Sequence, residues 1–285
     1  MKIDLHIHTR TGSDGALSLE GVFREAAKRH IDHMSVTDHD NIDTQPKAVQ
    51  LAAAHGITYV TGVEINVTAA IDYKPVSLDF LGYGFDYNNA ALKEKLHTIA
   101  DYRARRAQKI MENLNGEFIK EKLPLFTGAD LLKMQEGIDG VLGRPHIADY
   151  LIKKGIVASR KEAFDKYLVK CDVPKYPLPP DEASTLIRNA GGKFILAHPN
   201  DPNGTSMASV TKNLAEQTRI IELYFLPLID GIECYHSRND DLTTSHYVWF
   251  CTEYRLMMTG GSDCHQKPVI MGTVDIPDFV AEQFE

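Results

Sequence analysis

The chain has 285 residues, 43% of them hydrophobic, so it can bury a full core and has the length of one α/β barrel or two smaller domains. Its formal net charge of −8 argues against a partner such as duplex DNA held mainly through phosphates, because that mode needs a basic surface. No apolar run approaches the ~20 residues needed to cross a bilayer, so no membrane partner is expected.

Met1 to His6 has no apolar signal region. Cys171, Cys234, Cys251 and Cys264 are widely separated, with no CxxC pair, and read as reduced thiols. The expected location is therefore cytoplasmic.

Ile3 to Thr9 reads as a strand, Leu19 to His30 as a helix, His33 to Thr37 as a strand and Pro46 to His55 as a helix. Thr58 to Val67 is a third strand and Val76 to Tyr83 a fourth. Strands alternating with helices imply βαβ units and a parallel sheet. From Asn88 to about Pro180 the pattern is helical: a long stretch over Ala90 to Leu114, then Ala129 to Gln135, Arg144 to Lys154 and Lys161 to Val169. Pro174, Pro177, Pro179 and Pro180 punctuate its exit. A helix near Asp181 to Asn189 follows, with strands at Lys193 to Ala197, Gly231 to Tyr235 and Arg255 to Thr259. The expected architecture is an α/β barrel built from residues 1–87 and 181–285, with a helical insertion, residues 88–180, after its fourth strand.

The polar residues that stand out lie at the C-terminal ends of these strands, where parallel barrels carry their active sites. The first strand ends in His6-Ile7-His8, and residues two apart on a strand point the same way, so two imidazoles converge. The following loop supplies Asp14. The second strand ends in Thr37-Asp38-His39-Asp40 and the third in Gly62-Val63-Glu64. Asp79 lies inside an apolar fourth strand, where a carboxylate is costly unless paired, hydrogen-bonded or on a metal. His198, Asp263 and His265 follow at the later strand ends. A lone His at a strand end is more often structural, but nearly every proposed strand ends in His, Asp or Glu. Imidazoles mixed with carboxylates, without thiolates, fit Mn²⁺, Fe²⁺ or Zn²⁺. Nine candidates suit two or three such ions, with Glu64 able to bridge. A multinuclear site polarises a phosphoryl oxygen, activates a bridging water at neutral pH and stabilises the leaving oxygen. His6, His8, Glu64 and Asp263 are thus candidate catalytic residues as well as metal ligands.

The ordered set Asp4-Leu5-His6-Ile7-His8, Ser13-Asp14-Gly15, Thr37-Asp38-His39-Asp40, Gly62-Val63-Glu64, Ala197-His198-Pro199 and Gly261-Ser262-Asp263-Cys264-His265 resembles the polymerase and histidinol phosphatase (PHP) family. It is similar in particular to stand-alone bacterial phosphoesterases that cleave nucleoside 3′,5′-bisphosphates and short RNA 5′ ends. Gly143-Arg144-Pro145-His146-Ile147-Ala148, Ala163 to Leu168, Lys175-Tyr176-Pro177 and Ala190-Gly191-Gly192 look like counterparts of the insertion in those proteins. The resemblance implies a distorted seven-stranded barrel, three metals and a phosphorylated nucleotide or small-molecule substrate. Where such relatives carry a His three residues before the Gly of an LG pair, this chain has Asp79. Either Asp79 or His146 completes the metal set.

The insertion is expected to form part of the substrate pocket. Arg144 and His146 are its sharpest polar pair, read either as a phosphate grip or as a helix start with Pro145 in its first turn. Arg103 and Arg106, one turn apart, add charge or form a solvated helical face. Lys175 and Tyr176 sit where the insertion returns to the barrel. His236, past the Gly231 strand, is a candidate for protonating a leaving group, and Asp38 and Asp40 are candidates for orienting His39. Other readings are a small-metabolite phosphatase such as histidinol-phosphate phosphatase, a non-catalytic metal-binding PHP module, and a metal-dependent amidohydrolase. The insertion speaks against the first and the full ligand set against the second. The third would carry a carboxylated Lys or another ligand order.

Overall fold

In a computed structural model, which describes residues 1–136, 142–202 and 204–284, the chain divides into two compact units, Met1–Leu96 with Pro177–Glu285, and His97–Tyr176. The larger unit begins with short parallel strands, β1 (Ile3–Asp4), β2 (His33–Met34) and β3 (Thr58–Tyr59), paired in that order. Between β1 and β2 runs α1 (Leu19–Lys28), capped by Ser18, whose side chain accepts the Gly21 N–H. Leu19, Val22, Phe23 and Ala26 recur on one face of α1 and are buried. Burying a Leu, Val or Phe side chain stabilises by about 1.5–3 kcal/mol, so this face fixes the helix to the sheet. The next helix, α2 (Gln45–His55), stops at Gly56, whose φ of 68° is the left-handed conformation that glycine adopts freely.

A second sheet starts with β4 (Gly62–Ile71) and β5 (Lys74–Tyr83), antiparallel along their whole length from Gly62↔Tyr83 to Ile71↔Lys74. Two points differ from the sequence reading. The expected third strand is split, because the chain changes sheets: Val60 N–H donates to Met34 O, while the Thr61 hydroxyl donates to Phe85 O. The expected parallel partner is a hairpin instead, because the Asp72–Tyr73 turn leaves no room for a crossover helix. Both residues have positive φ, 48° and 63°, the pattern of a tight I′ turn.

The helical unit therefore follows the fifth strand, not the fourth. Its helices are α3 (Ala90–Glu121), α4 (Gly128–Gln135), α5 (Arg144–Lys153) and α6 (Arg160–Ala163), the last running into a wider π turn at Phe164–Leu168. Leu114, Phe118, Phe126, Ile147, Leu151 and Tyr167 form its own core. The unit is narrower than residues 88–180. The start of α3 belongs to the larger unit, where Leu92 and Leu96 are buried and Lys95 pairs with Glu182 at 2.5 Å.

The larger unit resumes with α7 (Pro180–Asn189) and β6 (Lys193–Leu196), followed by α8 (Leu214–Tyr224), β7 (Gly231–His236), α9 (Asp241–Tyr254), β8 (Met257–Gly261) and α10 (Phe279–Glu282). β6 is antiparallel to β5, and β6, β7 and β8 run parallel. The expected single closed barrel is not formed among the described residues; there are two sheets, of three and five strands. They meet at two places. Leu5 N–H donates to Gly260 O at 3.1 Å and Asp263 N–H to His6 O at 2.9 Å, and Asp40 N–H donates to Glu64 O at 2.7 Å. These seams carry the strand ends singled out in the sequence. No described helix is long and apolar enough to cross a membrane, and all four cysteines are free and buried.

Candidate metal centre

His6 and His8 extend β1 beside the end of β8, and the backbone contact there is close. A Cβ on Gly261 would lie 2.3 Å from the His6 Cβ, so only glycine lets β8 approach. Asp14 is presented by a loop that Asp38 ties down. The Asp38 carboxylate accepts Thr9 N–H at 2.7 Å, the Thr9 hydroxyl at 2.8 Å and the Ser13 hydroxyl at 2.8 Å. Asp38 therefore orients this loop rather than His39, because neighbouring residues of an extended chain point to opposite sides. Asp40 accepts Asn66 N–H, at 3.1 Å. Three residues here have left-handed backbone without being glycine: His198 (φ 24°), Asp40 (51°) and Asp263 (54°). Such strained positions gather at sites that the surrounding structure over-determines.

All nine residues expected to bind metal come together in three overlapping groups, within each of which the ligand atoms lie within 4.8 Å of one another. The first is His8, Asp14, His39 and His265, the second His6, His8, Glu64 and Asp263, and the third Glu64, Asp79 and His198. Glu64 spans two groups. Its Oε2 is 3.3 Å from His6 Nε2, 3.1 Å from His8 Nε2 and 3.1 Å from His39 Nδ1, and its Oε1 is 2.9 Å from His198 Nε2. Asp79, on β5, accepts the Asn66 side-chain amide and belongs to the third group.

The donor set fits divalent ions on two counts. Four imidazoles direct Nδ1 to an oxygen acceptor, three of them to atoms that are not ligand atoms of the cluster and His39 to Glu64 within it. His6 Nδ1 meets Glu233 Oε1 at 2.9 Å and His8 Nδ1 meets Ser13 Oγ at 3.4 Å. His265 Nδ1 meets the Asp263 carbonyl at 3.0 Å and His39 Nδ1 meets Glu64 Oε2 at 3.1 Å. With the proton on Nδ1, each Nε2 lone pair faces inward, the tautomer a metal-binding histidine needs. His6 and His8 Nε2 then face each other at 3.0 Å, and those of His265 and His39 at 3.5 Å, which is repulsive unless a cation or proton intervenes. The spacings also match: two donors ~2.0–2.1 Å from one ion lie roughly 3.0–3.4 Å apart at ordinary bond angles. In the second group the separations from His6 and His8 to Glu64 and Asp263 run from 3.1 to 3.4 Å.

Without metal, protons hold this set together. Burial disfavours charge on His6 and His265, but the carboxylates around them outweigh it and raise both well above an ordinary imidazole. His198, also buried, is pushed up to about 9 by its hydrogen bond to Glu64. His39 goes the other way, down to about 4, because burial wins over Glu64 and Asp14. Burial likewise opposes ionisation of Glu64, Asp14 and Asp263, yet the imidazoles hold all three well below the usual carboxylate range.

Other residues border the cluster. His236 is buried with Nε2 3.6 Å from Asp263 Oδ2, while its Nδ1 accepts Arg238 N–H at 3.3 Å. Glu233, in the middle of β7, escaped the sequence reading. It is fully buried, takes His6 Nδ1 on one oxygen and accepts His198 N–H on the other at 2.8 Å. Like Asp79, it is a carboxylate inside an apolar strand, and that signal could have found it. Arg238 and Asp201, also unread in the sequence, form an ion pair beside Asp263.

The candidate substrate residues lie in the helical unit. Arg106 and Arg144 share Asp172, at 2.5 and 2.6 Å, and the Arg144 guanidinium lies 5.4 Å from the Phe164 ring centre. Arg103 adds positive charge next to Arg106. His146 Nδ1 accepts Gly143 N–H at 3.0 Å, a cap on α5. Tyr176, after Lys175, packs edge-on against Tyr102 with centroids 5.5 Å apart. Asp79 sits within the nine-residue cluster.

Comparison with known proteins gives a coherent picture. The sequence profile of the PHP domain matches residues 4–170. The chain is 27% identical over 276 residues to the 5′-3′ exoribonuclease Rnm of Escherichia coli, covering 92% of this chain and 85% of that one. It is 32% identical over 201 residues to the 3′,5′-nucleoside bisphosphate phosphatase of Chromobacterium violaceum, covering 69% and 66%. A crystal structure from Bifidobacterium adolescentis, described as that of a metal-dependent phosphoesterase by inference, superposes with a TM-score of 0.78 at 25% identity, covering 99% of this chain and 94% of that one.

Proposed function

The chain belongs to the PHP family and is a metal-dependent phosphoester hydrolase, and from that premise we propose that it removes phosphate from nucleotides, either a nucleoside 3′,5′-bisphosphate or the 5′ end of a short RNA. The observation that carries this reading is the inward convergence of imidazole Nε2 atoms and carboxylates in three overlapping groups, which suits two or three divalent ions. The two relatives above act on these substrate classes by name.

His6, His8, Asp14, His39, Glu64, Asp79, His198, Asp263 and His265 would hold the ions. When bound, divalent ions of this kind polarise the phosphoryl group, activate water at neutral pH and stabilise the leaving oxygen. The chain's own groups prepare that chemistry. Glu64 offers both carboxylate oxygens to different groups and so ties the cluster into one unit. Glu233 fixes the His6 ring and its tautomer through Nδ1. His236, whose Nδ1 accepts a backbone N–H, carries its proton on Nε2, a buried donor that has no hydrogen-bond partner among the described residues and can meet an oxygen gaining charge. Asp38 clamps the loop that presents Asp14, so the first group needs no rearrangement. In the helical unit, Arg103, Arg106, Arg144, His146, Lys175 and Tyr176 contribute anion and sugar contacts.

The test is phosphate release from adenosine 3′,5′-bisphosphate, mononucleotides, short 5′-phosphorylated RNA and histidinol phosphate, with Mn²⁺, Fe²⁺ or Zn²⁺ supplied. Turnover of the bisphosphate or RNA above the others is expected. Preference for histidinol phosphate would move the substrate to a small metabolite, and metal binding without any release would make the protein a non-catalytic module.

A further inference from the structure

We propose that Arg238 is a clamp for the substrate phosphate, supplied by the larger unit itself and held beside the cluster by Asp201; this deepens the phosphoesterase reading and rests on it. Asp263 divides its two oxygens between the cluster and its border. Oδ1 faces His6, His8 and His265 at 3.4, 3.4 and 3.2 Å, whereas Oδ2 faces Arg238 Nη1 at 3.4 Å and His236 Nε2 at 3.6 Å. Arg238 thus stands one carboxylate away from the proposed ions. Its Nη1 is also ion-paired with Asp201, whose side chain is 1% exposed while that of Arg238 is 41% exposed. Asp201 N–H donates to His198 O at 3.0 Å, so the turn that presents His198 also presents the anchor of Arg238.

A guanidinium has five N–H donors in one plane. Nη1 is committed to carboxylates, but Nε and Nη2 meet no partner among the described residues. One edge of the fork is therefore anchored and the other open, the geometry in which arginine takes two oxygens of a phosphate. An arginine serving only to neutralise Asp201 has no need to border Asp263 with an open edge. Electrostatics explain why a cation is useful here. Asp14, Glu64, Asp79, Asp201, Glu233 and Asp263 crowd the site of a chain with net charge −8, and a phosphate dianion must enter among them.

The experiment measures inorganic phosphate binding to the metal-loaded protein by titration calorimetry, metal content by elemental analysis, and KM for p-nitrophenyl phosphate. Arg238→Ala is expected to keep its metal, bind phosphate about ten- to a hundredfold more weakly and raise KM. Arg238→Lys keeps a charge beside Asp201 and so preserves the fold. It is expected to lose about threefold or more in phosphate affinity, because an ammonium engaged there has no second planar edge. Wild-type phosphate affinity in both variants would reduce Arg238 to a partner of Asp201. Metal lost together with affinity would show that Arg238 only holds Asp263, and either result overturns the proposal. A wild-type protein that loads no metal, or hydrolyses no ester, fails the phosphoesterase reading itself, and the two failures are therefore distinct.

Discussion

Glu233 Oε1 lies 2.9 Å from His6 Nδ1, with both side chains fully buried. Glu233 holds the ring so that its other nitrogen faces Glu64 and Asp263. Glu233→Gln keeps the shape but removes the charge that makes His6 a stronger donor. Metal affinity is expected to fall about 10–100-fold, the usual effect of removing such a partner. Competition with a chelating dye would measure it, and an unchanged affinity would assign Glu233 to His198 N–H alone.

Glu64 links the second and third groups, so its loss should be felt by more than one ion. Glu64→Ala and Asp263→Ala are each expected to lower metal content and phosphate release together. Elemental analysis of reconstituted wild type should find at least two ions per chain. Full activity in either variant contradicts the ligand assignment.

Asp79 stands with Glu64 and His198 in the third group. Asp79→Ala should lose one ion, whereas Asp79→His should keep it and retain part of the activity, with an altered preference among Mn²⁺, Fe²⁺ and Zn²⁺. An alanine variant with full metal content would point to His146 instead.

Metal binding should depend on pH through His198. Its ring is neutral in the unfolded chain above about 6.5 but, held by Glu64, stays protonated in the metal-free fold up to about 9. An ion needs the neutral ring and must displace that proton, as it must those that the surrounding carboxylates keep on buried His6 and His265, so affinity should rise with pH, by up to about tenfold per pH unit for each proton released. His39, lowered to about 4, is already neutral and contributes no such dependence. Affinities measured at pH 6.5, 7.5 and 8.5 check this; a flat profile is the contrary result.

In the helical unit, Arg144 is paired with Asp172 and stacks over Phe164. Arg144→Ala should leave metal content unchanged and weaken turnover of a 3′,5′-bisphosphate about ten- to a hundredfold, more than that of p-nitrophenyl phosphate. Equal losses on both substrates would place Arg144 in the common chemical step, and no loss on either would leave it as part of the α5 start.

Most of the nine clustered residues were legible because they stand near strand ends or in the loops that follow, and Asp79 because it is a carboxylate inside an apolar strand. Glu233 obeys the same rule and was readable in principle. Arg238 and Asp201 were not, since polar residues in loops carry no periodicity. The β4–β5 hairpin was hidden because its turn, Asp72–Tyr73, lacks the glycine that usually marks a I′ turn. α9 left no clear stripe: Tyr247, Phe250 and Cys251 are buried, but Leu242 and Trp249 on the same helix are exposed, so apolar residues surround it. Asp38 misled by adjacency, sitting next to His39 in sequence while serving Thr9 and Ser13 in space.

The contact of β1 with β8 joins positions more than 250 residues apart, with His6 O accepting the N–H of Asp263. During synthesis, His6 and His8 emerge more than 250 residues ahead of their partners Asp263 and His265. Until then the second group holds only His6, His8 and Glu64, and the first lacks His265. A nascent chain can bind an ion loosely through that half-set, but it cannot cage one. The full ligand set can therefore form only once β8 has docked against β1.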